Sequence, residues 1–60
     1  MKITNLSEET IHSVAVTYYD KYLTLIEIND VRDIAQKLIR NGVKLSEAVD
    51  NAVEIFLDNQ

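Results

Sequence analysis

His12 is the only histidine in the chain, and Glu8 and Glu9 stand about one helical turn before it. An imidazole and a carboxylate at that spacing share a helix face and could exchange a proton or form half of a metal site. The other half is missing. The chain has no cysteine and no second histidine, which leaves neither a thiolate nor a histidine-based metal centre. Both glutamates fall where a first, solvated helical turn is expected, so His12 reads as a surface or boundary residue. Sixty residues also leave little volume for a concave, water-excluding site. The sequence therefore predicts no enzymatic role, no cofactor and no catalytic residue.

Tyr18, Tyr19 and Tyr22 are three of the four aromatic residues, and they cluster. Tyrosine suits contact surfaces because its ring buries while its hydroxyl finds a partner. Two arrangements follow: a patch for another chain, or Tyr18 and Tyr22 at the core edge with Tyr19 exposed. A dimer interface would satisfy both. The remaining candidate group is cationic. Arg32, Lys37, Arg40 and Lys44 face only Asp33 within residues 31–46, whereas residues 47–60 carry Glu47, Asp50, Glu54 and Asp58 and no cation. Charge segmented in this way can orient subunits against one another or bind a small acidic patch on a partner. The net charge of −4 opposes nucleic acid and anionic membranes as partners.

The elements that must hold these residues are announced by caps. Leucine directly precedes Ser or Thr at Leu6-Ser7, Leu23-Thr24 and Leu45-Ser46. A Ser or Thr side chain can accept a hydrogen bond from an orphan N–H of the first turn. Ile11 and Ile28 lie four residues beyond Ser7 and Thr24, so Leu6 and Leu23 can each close a hydrophobic staple, and Glu27 completes a capping box with Thr24. Three helices are predicted, near residues 7–22, 24–41 and 46–58. In the first, Ile11, Val14, Ala15, Tyr18 and Tyr22 form one stripe that leads to Leu25. In the second, Ile28, Val31, Ile34, Ala35 and Leu38 face inward. In the third, Ala48, Val49, Ala52, Val53, Phe56 and Leu57 form a wide apolar face. Asn41-Gly42 ends the second helix. Residues 22–28 have strand propensity as a rival reading, and the capping box favours the helix.

The fold class expected is all-α: one compact three-helix domain over residues 1–60. With 47% apolar residues, no disulfide and a short chain, self-association is the available stabilising device, and a homodimer is expected. Residues 1–5 lack the apolar segment of a signal peptide, and nothing approaches a membrane span. The lack of cysteine suits a reducing cytosol. The chain reads as a whole gene product of bacterial or phage type and cytoplasmic location.

Residues 34–57 read as helix, glycine turn, helix. This segment resembles the two-helix part of ribbon-helix-helix repressors, in which a Ser-Glu-Ala motif likewise starts the last helix. It is also similar to the first hairpin of ubiquitin-associated domains, which place a Gly-apolar pair at this turn. The repressor resemblance implies a DNA-binding regulator or antitoxin with a short basic strand before the hairpin. Here residues 22–28 are apolar and contain Glu27, and the helix a helix-turn-helix would insert carries four carboxylates. The leading expectation is thus a non-enzymatic protein-interaction module. Its surface would use Tyr18, Tyr19, Tyr22, Val49, Val53 and Phe56. The DNA-binding alternative would use Arg32, Lys37, Arg40 and Lys44, and an acidic inhibitor of a nucleic-acid-binding surface is a third possibility.

Overall fold

The first turn of the structure is organised by Asn5, whose Oδ1 accepts from the Ser7 N–H at 3.1 Å and from the Thr10 hydroxyl at 2.9 Å. Ser7 caps helix α1 (Glu8–Tyr19), its Oγ accepting from the Thr10 N–H at 3.2 Å. This computed structural model describes residues 5–60, so most of the segment read as lacking a signal peptide lies outside the described residues. Helix α2 spans Leu25–Arg40 and α3 spans Leu45–Asp58. There is no strand among the described residues, and none of the helices is long and apolar enough to cross a membrane.

Two of the three caps form as their residues dictate. Thr24 and Glu27 close a full capping box: the Thr24 N–H donates to Glu27 Oε1 at 2.9 Å and the Glu27 N–H donates to Thr24 Oγ1 at 3.2 Å. Leu6 and Leu23, just outside their caps, pack against the core that contains Ile11 and Ile28. The third cap differs. Lys44, not Ser46, is the N-cap of α3, and it provides no side-chain hydrogen bond. The Ala48 N–H closes on the Lys44 carbonyl at 2.7 Å, which places Ser46 inside the first turn. The reason lies in the preceding turn, which leaves only Val43 and Lys44 as linker and brings both Val43 and Leu45 onto the core.

That turn is a Schellman motif. Gly42 has φ 95°, the Val43 N–H donates to the Leu38 carbonyl at 3.0 Å, and the Gly42 N–H donates to the Ile39 carbonyl at 3.0 Å. Helix α1 also ends differently from its periodicity, at Tyr19 rather than Tyr22. Asp20 adopts the left-handed conformation (φ 54°, ψ 42°), and the Lys21 N–H reaches back to the Ala15 carbonyl at 3.1 Å. A helix continued to Tyr22 would leave only Leu23 and Thr24 before α2, the short limit of the two to five residues usual for helix-to-helix connections, with Thr24 already committed as N-cap. Residues 20–24 form the connection.

The core contains Ile11, Val14 and Ala15 from α1, Ile28, Val31 and Ala35 from α2, and Ala48, Val49, Ala52 and Val53 from α3. No buried polar side chain accompanies them, and no buried side-chain nitrogen or oxygen lacks a partner among the described residues. The described end of α3 returns to the start of α2, where Gln60 Nε2 donates to Glu27 Oε2 at 3.1 Å.

Nothing lies within 4 Å of a Cβ placed on Gly42, so only its backbone conformation resists substitution. Gly42→Ala is expected to cost about 1 kcal/mol through left-handed strain alone, read as a lower urea midpoint with an unchanged helical spectrum. A cost near zero would mean that the turn relaxes.

Candidate interaction surface

Among the described residues, the strongest exposure of large apolar side chains falls in one stretch of the chain, residues 18–26. Tyr22 is 76% exposed, Ile26 75%, Leu25 62% and Tyr18 59%, whereas Ile39 and Ile55 are only about half as exposed as Tyr22. The four belong to the end of α1, the connector and the first turn of α2. The Thr24–Glu27 box sets the phase of α2 and so the positions of Leu25 and Ile26. With Ile28 buried, Ile26 must point to the opposite side of the helix.

The candidate residues divide accordingly. Tyr18 and Tyr22 are exposed, not at the core edge as their place on the stripe suggests; Tyr18 is in the last turn of α1, and Tyr22 lies beyond its end. Tyr19 is the half-buried one. Val49 and Val53 are fully buried in the core, so they are corrected from surface to interior: the small Ala48 and Ala52 draw that face of α3 against its neighbours. Phe56 is half-buried and packs on the core margin. Leu25 and Ile26, which were not among the candidates, complete the exposed cluster. The signal for Ile26 was available in the sequence, since it stands two residues before the inward-facing Ile28 and so on the other side of the helix.

Beside this cluster lies an open groove of about 370 Å³ lined by Glu8, Glu9, His12, Leu23, Leu25 and Ile28. The fold thus gathers His12 and the two glutamates at one rim over an aliphatic floor. The Tyr22 ring leans on the His12 ring at 5.8 Å between centroids, with the planes at 52°. Among the described residues, no group of three or more His, Cys, Asp or Glu side chains could hold a metal ion. The groove offers contact surface, with acidic and aromatic groups around an apolar strip.

The cationic residues are not equivalent. Arg32 Nε donates to the Leu6 carbonyl at 2.9 Å and Arg32 Nη1 to Asn29 Oδ1 at 3.0 Å, tying the entry of α1 to α2. Lys37, Arg40 and Lys44 are exposed around the α2–α3 turn. Glu47, Asp50, Glu54 and Asp58 are exposed along α3.

Tyr19 joins α1 to that acidic face. Its hydroxyl donates to Asp50 Oδ1 at 2.6 Å and lies 3.3 Å from the Asp50 carbonyl. Burial raises its ionisation well above the ordinary tyrosine value, as do the hydrogen bond to Asp50 and the charges of Asp50, Glu54 and Asp58. Glu27 shifts the other way, its carboxylate held below the usual range by hydrogen bonds from the Thr24 backbone and side chain, with a smaller contribution from Gln60.

The folded state favours the neutral Tyr19 phenol, so this contribution is complete below pH 10 and declines as the pH rises further. Tyr19→Phe should cost about 1 kcal/mol at pH 8, a charge-assisted hydrogen bond discounted for solvent. The gap between variant and wild-type urea midpoints should narrow by pH 11; a constant gap would remove Asp50 from the explanation. At Glu27 the stabilised form is the carboxylate, so its contribution exists above about pH 4.5 and fades in more acidic solution. Glu27→Gln should accordingly flatten the acid limb of the stability profile.

Comparison with known proteins finds no matching family model, no matching curated protein and no matching solved structure.

Proposed function

We propose that this chain is a non-enzymatic protein-interaction module that acts as a self-associated homodimer. The observation that carries the reading is the exposed cluster of Tyr18, Tyr22, Leu25 and Ile26. Four large apolar side chains exposed within residues 18–26, two of them tyrosines, have the composition of an interface core. The open groove beside them adds contact surface. Glu8 and Glu9 at the groove supply polar groups beside it.

Of the four cations considered for phosphate contact, Arg32 is engaged by Leu6 and Asn29. Lys37, Arg40 and Lys44 remain for a DNA-binding regulator or antitoxin to use, against four exposed carboxylates on α3. The interaction reading is the better supported of the two.

Sedimentation equilibrium at micromolar concentration should report a mass above the 6.9 kDa of one chain. Ile26→Asp, on an exposed position, should return the protein to monomer with its helical spectrum intact. A wild type that stays monomeric throughout would overturn the proposal. Gel-shift titration should show no duplex DNA binding at physiological salt; salt-sensitive, sequence-selective binding would favour the regulator instead.

A further inference from the structure

Ile26, Asp30, Asp33, Lys37 and Arg40 succeed one another on α2 at steps of four, three, four and three residues. That spacing places them on one narrow stripe. All five are exposed, and the buried Ile28, Val31 and Ala35 occupy the opposite side. The stripe is polarised, acidic in its first half and basic in its second. Lys37 and Arg40 lie in the last turn, where the helix dipole favours cations. Asp30 and Asp33 lie beyond the first turn, so the dipole does not account for them.

A stripe that reads minus, minus, plus, plus complements itself when turned end for end. We infer that α2 is the pairing helix of an antiparallel homodimer in which Asp30 faces the partner's Arg40 and Asp33 faces the partner's Lys37. The two-fold axis crosses α2 midway between Asp33 and Lys37 and generates all four ion pairs, as an isologous interface requires. This arrangement rests on the self-association proposed above and specifies its geometry. Each exposed ion pair contributes little by itself, so the charges set direction and register. The apolar contribution comes from the ends of the seam, where the same register brings Ile26 against the partner's α2–α3 turn. A standard interface of about 800 Å² per subunit would cover about a fifth of the 4038 Å² surface of one chain.

Charge reversal tests the geometry. Asp30→Lys with Asp33→Lys makes the stripe all-cationic, and Lys37→Glu with Arg40→Glu makes it all-anionic. In sedimentation equilibrium each variant alone should dissociate about tenfold or more readily than wild type. An equimolar mixture should recombine as a one-to-one heterodimer, and the fourfold variant carrying both reversals should dimerise again. Circular dichroism checks that each variant is folded, and the fourfold variant decides if either partial reversal does not fold. Partial reversals that keep wild-type affinity, or a mixture or fourfold variant that does not associate, would overturn the antiparallel α2 pairing. A dimer indifferent to charge but lost on Ile26→Asp leaves self-association standing without this geometry, whereas a monomeric wild type removes both.

Discussion

The small size of the buried side chains constrains everything else in this molecule. Among the described residues ten form the core, and four are alanine, four valine and two isoleucine. Ala15, Ala35, Ala48 and Ala52 come from all three helices, so the backbones can approach closely around them. Close approach yields dense packing and many dispersion contacts. It also leaves no room for larger groups. Phe56, Leu38, Leu45 and Leu57 are held at the margin, and Tyr18, Tyr22, Leu25 and Ile26 are left in solvent. The apolar surplus of the sequence is thereby converted into an outward-facing cluster.

Because the core is narrow, polar ties at its edges help to align the helices. Tyr19 binds Asp50 across α1 and α3, Arg32 binds the Leu6 carbonyl across the start of α1 and α2, and Gln60 binds Glu27 beyond the end of α3. These ties alter the meaning of the charge pattern. Arg32 contributes to architecture, and Asp50 accepts a phenol hydrogen bond. The charges that remain displayed on α2 belong to the polarised stripe and not to one basic patch.

The two helix ends show how local chemistry and tertiary packing share the work. At Gly42 they agree: a residue without Cβ meets a left-handed position, and Val43 folds back onto the core. At Asp20 they conflict. The apolar stripe of α1 runs on to Tyr22, but the chain must leave the helix early enough for Leu23 to reach its staple position, so an aspartate takes the left-handed turn. Aspartate tolerates that conformation better than most residues.

By itself the sequence determined the all-helical class, three helices, the caps at Ser7 and Thr24, the glycine turn and the fully buried residues of α2. Those features depend on side chains within four residues of one another, and local hydrogen bonding and periodicity express them directly. The helix-to-helix fit decided the rest. It ended α1 at Tyr19, opened α3 at Lys44, drew Val49 and Val53 inside and sent Tyr18 and Tyr22 out. It also engaged Arg32 and brought His12 beside Tyr22. The apolar pattern of α3 named a face wide enough for either a core or an interface. Only the close packing allowed by alanine in neighbouring helices settled which part of that face is interior.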